Sequence, residues 1–387
     1  MEALELFSIL ARGEDSAHQF KKNITNPDSL AAEFVAFSNG AGGRIFIGVD
    51  DDGSVAGLTS ADIRRLNQLV SNTASQCVEP AINPTTSNVE TGRGLVMVVE
   101  IAGGVAKPYQ DKNGAFWVKN GYDKRKATSR KEIQRIFQKA NLLHADEIPV
   151  HGLSVADIDY DYFKVFFRKR FNKSLEEQEI PLTRILENLN LQKDGVLNVG
   201  GAVLFAQAPQ YKLPAFVVKA AAFNGISVAD DEYLDNSVIA GKLEYIFDAT
   251  MKFILSNLHH VQGGQHVNSP GISEIPRPAI EELIANALVH RDYFISAPVL
   301  VFIFRDRVEI ISPGHLPNNL TVENIKSGIS NIRNPVIASI AFEGHLIPYQ
   351  GIGSGILRAL SKYPDIDFID DRKGNTFKVV IKRRDHQ

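Results

Sequence analysis

In the first 142 residues, some segments repeat apolar positions with the period of a helix, and others have the apolar runs typical of strands. Leu30, Phe34 and Phe37 recur at helical spacing, and a glycine-rich stretch follows at 39–43. Such a stretch ends a helix, and the apolar run after it is typical of a buried strand. The predicted elements are a helix at 29–38, strands at 44–49, 94–101 and 115–121, and an amphipathic helix from residue 129. Together they predict a mixed α+β domain over residues 1–142.

The pattern changes at residues 144–154, which are short, polar and punctuated by proline and therefore favour a linker. The predicted elements beyond it are helices at 160–171, near 182–191 and at 243–258, and strands at 201–206 and 215–223. We interpret residues 150–260 as a middle α/β connector. A third domain is predicted at 270–387, so the expected fold class of the whole chain is α+β.

Residues 276–293 predict a helix with two distinct faces. The positions of one apolar stripe follow the spacing i, i+3, i+4, i+7, i+8 and are Ile280, Leu283, Ile284, Ala287 and Leu288. Glu282, Asn286 and His290 fall four residues apart on a separate face. An amide oxygen can ligate Mg²⁺, and a carboxylate can orient or deprotonate a water molecule. Alone, a glutamate and an asparagine on a helix flank are equally typical of an ordinary solvated surface.

Glycines later in the chain add a second feature. The strand predicted at 308–317 runs into a glycine turn, and Gly351, Gly353 and Gly355 directly precede an apolar helix. Glycines at alternate positions let backbone N–H groups converge on phosphate at the start of a helix. Such a loop also occurs as a simple tight turn. It is not a Walker loop, because no Gly-Lys-Ser/Thr sequence follows it.

The order of these motifs resembles the GHKL ATPase superfamily, and more closely its RecG-like C-terminal ATP-binding branch. The motifs are N-A-x-x-H-R-D-Y at 286–293, P-G-x-L-P at 313–317, R-N-P at 333–335 and G-x-G-x-G-I at 351–356. The resemblance implies a GHKL-type α/β sandwich with ATP and Mg²⁺ as ligands. It also implies that Glu282 is the general base and that Asn286 is the Mg²⁺ ligand.

The same resemblance implies roles for the remaining candidates. Gly351, Gly353 and Gly355 would form the phosphate loop, and Ser312 and Gly314 would lie at the adenine site. The wider superfamily has an aspartate where this chain has Ser312, and a neutral hydroxyl is a weaker acceptor than a carboxylate. His290 and Arg291 either contact phosphate or stabilise their own turn.

Four stretches near the N-terminus resemble the Schlafen-type AlbA-like (divergent AAA-4) domain. They are residues 13–23, 36–58, 107–109 and 116–121. In nuclease members of that family, three acidic residues hold a metal ion. Glu14 and Asp50 match two of them, but Gln19 places a neutral amide at the third. We therefore expect a vestigial nuclease site and no efficient cleavage, with a solvated hairpin turn as the alternative for Asp50.

Charge supports a nucleic-acid partner for this domain. Between residues 119 and 139 there are eight basic residues and two acidic ones, in a protein with a formal net charge of −3. The candidate contacts to DNA or RNA phosphates are Lys119, Lys124, Arg125, Lys126, Arg130 and Lys131. A solvated basic helix is the competing interpretation.

Composition adds constraints on the surroundings of the chain. A hydrophobic content of 44% and a charged content of 22% are typical of a globular protein in water. The single cysteine, Cys77, allows no internal disulfide and fits a reducing cytoplasm. The first residues do not resemble a signal peptide, and no apolar run approaches the ~20 residues that cross a bilayer, so no membrane partner is expected.

These observations lead to one preferred functional hypothesis. The chain is expected to be an ATP-binding, nucleic-acid-associated regulator that forms a homo-oligomer and acts in transcription; the sequence leaves open whether it also hydrolyses ATP slowly. A helicase motor is not expected, because the Walker loop is missing from the sequence. The alternatives are an ATP-gated Schlafen-like nuclease of a defence or toxin system, and an interaction scaffold with a degenerate nucleotide site.

Overall fold

A computed structural model of the chain describes residues 2–140, 142–229, 233–261, 272–317, 320–349, 351 and 353–383. The chain divides into two compact units, Met1–Leu143 and His144–Gln387, which we call unit 1 and unit 2. Helices and strands are mixed in both units, which confirms the α+β class. Within the described ranges, no helix has the combined length and apolarity that crossing a membrane requires.

Unit 1 is built around a small mixed sheet. Its elements are α1 (Ala3–Leu10), β1 (His18–Lys21), α2 (Pro27–Asn39), β2 (Gly42–Ile47), α3 (Ser60–Gln76), β3 (Val78–Glu79), β4 (Thr85–Thr91), β5 (Gly94–Ala102), β6 (Gln110–Asp111), β7 (Trp117–Asn120), β8 (Asp123–Lys126) and α4 (Arg130–Lys139). The sheet has the strand order β1-β2-β5-β4, in which β1 and β2 are parallel and the other neighbours antiparallel.

Alternation along β2 gives unit 1 a hydrophobic cluster on each face of this sheet. Ile45 and Ile47 pack in the cluster that includes Phe34 of α2. Phe46, between them, belongs to the cluster that includes Leu6 of α1. Successive side chains of a strand point to opposite faces, so one apolar run supplies both clusters.

Unit 2 begins at His144 and contains the larger sheet. Its elements are β9 (Pro149–Ser154), α5 (Tyr160–Phe171), α6 (Leu182–Asn188), β10 (Gln192–Lys193), β11 (Val196–Asn198), α7 (Val199–Phe205), β12 (Val218–Phe223), β13 (Tyr233–Ile239), α8 (Leu243–Ser256), β14 (His260–Val261), β15 (Ile272–Ser273), α9 (Arg277–Val289), β16 (Val299–Ile303), β17 (Arg307–Pro313), α10 (Val322–Lys326), α11 (Pro335–Glu343), α12 (Gly355–Lys362), β18 (Ile366–Asp371) and β19 (Thr376–Lys382). Short 3₁₀ helices lie at Ala145–Glu147, Val155–Asp157 and Pro209–Tyr211.

The main sheet of unit 2 has the order β13-β12-β16-β17-β19-β18. Only the β12–β16 neighbours within this sheet are parallel. One face of the sheet packs in a single large hydrophobic cluster together with α8 and α9, through alternating side chains such as Val301 of β16 and Ile310 of β17. The packing fixes α9 against the sheet, and α9 carries the predicted Glu282 and Asn286.

The three-part division expected from the sequence differs from this arrangement. β12 lies in the predicted middle connector and β16 in the predicted third domain, yet they pair along their length, with Ala220 opposite Val301. Both also contribute to the same hydrophobic cluster. The stretch predicted to separate them, residues 260–270, lies almost wholly outside the described residues.

The predicted linker at 144–154 is wrong, because these residues open unit 2. Pro149–Ser154 forms β9, which pairs antiparallel with β11. Val150 and Leu153 are buried in the hydrophobic cluster of unit 2. Proline and glycine suggested a linker, but these residues are compatible with a short strand in which two apolar side chains provide the burial.

The strand predicted at 201–206 is also wrong, because Val199–Phe205 is the helix α7. The side chain of Asn198 caps this helix by accepting the N–H of Gly201. A Cβ atom on Gly201 would lie 2.1 Å from the carbonyl oxygen of Leu191, so glycine permits a close approach. A short apolar run fits a buried strand and a buried helix equally well, and here tertiary packing decides.

Candidate functional site

Most of the predicted site residues surround one cavity of unit 2. The cavity has an empty volume of about 1010 Å³, including space that opens to solvent. Its walls come from α9, the end of β17, residues 329–333, and the glycine loop before α12. The predicted residues that line it are Glu282, Asn286, His290, Ser312, Gly314, Gly351, Gly353 and Gly355. Folding therefore brings three separate sequence motifs to one place.

The helix α9 presents the acidic and amide groups as a connected pair. The side-chain nitrogen of Asn286 donates to the main-chain oxygen of Glu282 at 2.8 Å and to its carboxylate oxygen Oε1 at 3.2 Å. Residues four apart lie about one turn apart on the same side of a helix, so this contact follows from the spacing. Because the side-chain nitrogen of Asn286 makes both of these contacts, its Oδ1 oxygen does not bond to Glu282.

Two glycines of the loop, Gly353 and Gly355, approach their neighbours more closely than a Cβ atom allows. Gly353 has φ +73°, and a Cβ atom there would lie 2.3 Å from the carbonyl oxygen of Gly328. A Cβ atom on Gly355 would lie 1.7 Å from Oε1 of Glu282. The start of α12 is therefore in direct contact with the carboxylate of α9, and the loop exposes backbone where side chains would stand.

Arg358 of α12 is a cavity residue that the sequence did not indicate. Its Nη2 atom donates to Oε2 of Glu282 at 2.6 Å, and its Nη1 atom donates to Oγ of Ser354 at 2.7 Å. The carboxylate of Glu282 thus accepts hydrogen bonds from an arginine and from Asn286. The ion pair joins residues 76 positions apart, so only the folded chain reveals it.

His290 lines the cavity as a neutral side chain. Its Nε2 atom is 2.9 Å from the hydroxyl oxygen of Tyr349, which also lines the cavity. Burial, together with the nearby positive charge of Arg333, lowers the pKa of His290 to about 4. At neutral pH the imidazole can therefore form hydrogen bonds but supplies no positive charge.

Arg291 does not line the cavity. Its side chain is buried, donates to the carbonyl oxygens of Ile295 and Ala297, and stacks on the rings of Phe216 and Tyr293. These contacts match the structural alternative left open by the sequence rather than a phosphate contact. Besides Arg358, the cavity is lined by Arg333 of the R-N-P motif, to which the sequence assigned no role.

Ser312 is buried and lines the cavity. Its hydroxyl donates to the carbonyl oxygen of Ala287 at 3.1 Å, which ties the end of β17 to α9. The hydroxyl oxygen can still accept a hydrogen bond, because a serine oxygen carries two lone pairs. The Ser312 hydroxyl, which is a weaker acceptor than the aspartate of the wider superfamily, therefore lines the cavity.

A buried carboxyl near the start of unit 2, Asp146, bonds to the helix that follows the cavity residue Arg333. One of its oxygens accepts the main-chain N–H of Ile337 in the first turn of α11. The residue is fully buried, and burial raises the pKa of Asp146 to about 6. α11 directly follows Arg333, so this carboxyl helps to hold one wall of the cavity.

We expect His290→Gln and Asp146→Asn to change the pH dependence of stability in opposite directions. The pKa of His290 in the folded protein is below the ordinary value of 6.5. The contribution of this residue to the free energy of unfolding is therefore largest above pH 6.5 and is lost as the pH falls towards 4. The raised pKa of Asp146 has the opposite sign: stability increases as the pH falls from 6 towards 3.8. Between pH 7 and pH 5, titration of His290 should lower the free energy of unfolding by ~2 kcal/mol, and titration of Asp146 should raise it by ~1 kcal/mol.

The measurement is the shift in melting temperature of unit 2 between pH 7 and pH 5, compared with wild type because other groups titrate equally in all three proteins. His290→Gln should lose less stability on acidification than wild type, and Asp146→Asn should lose more. Parallel pH profiles for all three proteins would contradict the two assignments.

In unit 1, two of the predicted nuclease positions join a buried polar network. Gln19 donates to Oε1 of Glu14 at 2.5 Å, and Lys119 donates to Oε1 of Gln19 at 2.8 Å. The Lys119 ammonium also lies 3.6 Å from Glu33, which pairs with Lys124 at 2.8 Å. Burial lowers the pKa of Lys119. The amide of Gln19 therefore lies between the carboxylate of Glu14 and the ammonium group of Lys119.

Asp50, the third nuclease position, forms contacts of its own. Its carboxylate pairs with Lys22 at 3.1 Å, and its N–H donates to the carbonyl oxygen of Ser54 within a tight turn. This geometry matches the hairpin-turn alternative. Among the residues that the structure describes, no group of three or more His, Cys, Asp or Glu side chains is placed to hold a metal ion.

The predicted basic face separates into internal and exposed residues. Lys119 and Lys124 are engaged by the buried Glu33, and Arg125 forms a two-bond contact with Glu132. The exposed candidates outside these ion pairs are Lys126, Arg130 and Lys131, and Arg135 of α4 is also exposed. The exposed charge is therefore smaller than the sequence suggested and lies mainly on α4.

Comparison with protein families found one match in each unit. Residues 14–128 match the family described as "Schlafen, AlbA_2". Residues 296–381 match the family described as "Putative ATP-dependent DNA helicase recG C-terminal". The chain thus contains a Schlafen AlbA_2 domain followed by a domain of the RecG C-terminal ATPase type, as the resemblances predicted. The second match covers Ser312 and the glycine loop but begins after Glu282 and Asn286.

Solved structures with low sequence identity are also similar. A crystal structure of a protein from Corynebacterium diphtheriae is 20% identical, with a TM-score of 0.46, over 98% of this chain and 80% of that one. An NMR structure of the N-terminal domain of a RecG-related protein from Nitrosomonas europaea is 21% identical, with a TM-score of 0.26, over 34% of this chain and 96% of that domain. A comparison with curated proteins returned no significant match.

Proposed function

We propose that unit 2 binds ATP with Mg²⁺ in the cavity between α9 and the glycine loop, and that this binding regulates a nucleic-acid interaction of unit 1. The observation that carries the proposal is the convergence of Asn286, Glu282 and the glycine loop on one cavity. Backbone N–H groups at a helix start favour phosphate, and amide and carboxylate oxygens suit a hard cation.

The residues present fit such a ligand. Gly353 and Gly355 let the loop backbone approach Gly328 and Glu282 closely, so backbone rather than side chains lines this part of the cavity. The hydrogen bonds that Asn286 donates to Glu282 reserve its Oδ1 oxygen for a cation. Bound Mg²⁺ would neutralise phosphate charge, and Glu282 would hold and deprotonate the attacking water. The apolar side chains near Ser312, including Ile310 and Phe377, suit a base ring.

Asn286→Ala is expected to weaken ATP binding at least tenfold, about 1.4 kcal/mol, when Mg²⁺ is present. The substitution removes an oxygen ligand from a cation that requires octahedral coordination. The measurement is titration calorimetry of both proteins with ATP, in Mg²⁺ and in EDTA. In EDTA the difference between the two proteins should shrink, because the lost contact is to the cation. Equal affinities in Mg²⁺ would remove Asn286 from the site.

The proposed partner of unit 1 is DNA or RNA, bound through phosphate contacts. Its support is the match to the Schlafen AlbA_2 family and the exposed basic side chains of α4. A role as a transcription regulator, assembly into a homo-oligomer and a cytoplasmic location stay predictions.

Reversing Arg130, Lys131 and Arg135 to glutamate is expected to abolish nucleic-acid binding by unit 1. The first two lie in the first turn of α4, where acidic residues suit the helix dipole, so the helix should remain folded. Fluorescence anisotropy with duplex and single-stranded DNA and RNA measures the effect. Wild-type affinity should also fall by at least tenfold between about 50 and 200 mM salt.

The matched control reverses Arg12, Arg64 and Arg93, which are exposed in unit 1 but outside α4. Both triple variants change the net charge equally, so only a local interface distinguishes them. If the control loses as much affinity as the α4 variant, binding follows overall charge and the proposed face is wrong.

A further inference from the structure

We propose that Arg358 is the residue by which the cavity distinguishes a nucleoside triphosphate from a diphosphate. The inference rests on the proposed function and assigns a new role within that site. In the structure Arg358 bonds to Glu282; with a triphosphate bound, its guanidinium exchanges this carboxylate for the terminal phosphate.

The guanidinium of Arg358 lies beside the end of the glycine loop. Arg358 lies one turn into α12, and its side chain reaches back to Ser354 at the end of the glycine loop. It lines the cavity, and its side chain keeps a relative exposure of 37%, so a ligand in the cavity can reach it. A positive charge therefore stands where the loop would hold the end of a polyphosphate.

The partner of Arg358 in the structure is the proposed general base. Glu282 accepts from Arg358 at 2.6 Å, and Glu282 is the group proposed to hold the water that attacks the terminal phosphate. A guanidinium in hydrogen-bond contact with that carboxylate is close to the attacked phosphate and farther from the phosphates nearer the ribose. A diphosphate lacks the group that Arg358 would bind, so it leaves the ion pair with Glu282 intact.

The charges of the two groups favour exchange of the carboxylate for the terminal phosphate. A carboxylate carries one negative charge, whereas a terminal phosphate carries up to two and offers three oxygens to the planar guanidinium. The phosphate is therefore the stronger partner. Exchange also frees Oε2 of Glu282 to accept a proton from water. Arg358 thereby couples the binding of the triphosphate to the ability of Glu282 to accept a proton.

The test uses the full chain with Mg²⁺ and measures calorimetric affinities for ATP and ADP separately. Arg358→Met keeps the length of the side chain and removes its charge. It should weaken ATP binding at least tenfold and leave ADP binding within twofold. Arg358→Lys should lie between the two, because an ammonium keeps the charge but lacks the planar fork. The retained ADP affinity shows that the variant is folded.

Lys362→Met is the matched control, because Lys362 is exposed one turn further along α12 and loses the same charge. It should leave both affinities unchanged. If Arg358→Met weakens the binding of ATP and of ADP equally, or weakens neither, Arg358 does not sense the terminal phosphate. The proposed nucleotide site would still stand. If wild type binds neither nucleotide, the proposed function fails first and the inference with it.

Discussion

Glu282→Gln is expected to slow ATP hydrolysis by about 100-fold or more, while ATP affinity does not decrease. Glutamine keeps the shape of the side chain and can still contact Asn286 and Arg358, but it cannot take a proton from water. The effect should therefore appear in kcat and not in binding. Phosphate release under saturating ATP gives the rate, and calorimetry gives the affinity.

The neighbouring carboxylate provides a matched control for this prediction. Glu281 lies one residue away on α9 and pairs with Arg277 at 2.7 Å, outside the cavity. Glu281→Gln makes the same chemical change about 100° around the helix and should leave turnover within twofold. A larger loss of turnover in Glu281→Gln than in Glu282→Gln would show that the wrong carboxylate had been assigned.

Gly353→Ala is expected to weaken ATP binding by on the order of 100-fold, about 2.7 kcal/mol. The added Cβ atom would lie 2.3 Å from the backbone oxygen of Gly328, which cannot rotate away as a side chain can. The loop would have to move, and its N–H groups would no longer converge on phosphate. Titration with ATP and Mg²⁺ measures the loss.

Gly351→Ala separates the clash from backbone strain. Gly351 and Gly353 have φ values of +68° and +73°, so alanine is similarly strained at both positions. At Gly351, however, the nearest neighbouring atom to an added Cβ is a ring carbon of Tyr349 at an ordinary contact distance of 3.6 Å. Gly351→Ala should therefore cost no more than about tenfold in affinity, or 1.4 kcal/mol. Equal losses in the two variants would mean that the close approach to Gly328 does not matter for the ligand.

The arrangement of α9 was accessible from the sequence because it depends on local geometry. Glu282 and Asn286 share a helix, so their spacing alone predicts that they are neighbours. The glycine loop was accessible for a similar reason, since few other residues adopt its backbone conformations. Neither pattern predicts that the two features meet, and that step came from the resemblance to known ATPases.

The partners of these residues were not accessible from the sequence. Arg358 contacts Glu282 across 76 positions, and Tyr349 contacts His290 across 59. Such contacts depend on how β17 and β19 pair and where α12 packs. A single sequence holds no local signal for them. Arg291 illustrates the converse: it belongs to a recognisable motif, but its contacts are internal to the turn.

The basic residues of unit 1 show why a charge count overestimates an interface. Lys119 and Lys124 belong to a run of positive charge in the sequence, yet both are held by the buried Glu33. Glu33 lies in α2, where the surrounding apolar residues make a buried carboxylate hard to foresee. Burial of one acidic residue thus withdraws two cations from the surface that the sequence assigned to phosphate.

The central claim is that the cavity of unit 2 binds ATP together with Mg²⁺. Titration calorimetry of the wild-type full chain with ATP, in Mg²⁺ and in EDTA, tests it most directly. We expect one ATP site per chain, saturable in Mg²⁺ and at least tenfold weaker in EDTA. Absence of binding in Mg²⁺, or an affinity that Gly353→Ala leaves unchanged, would contradict it.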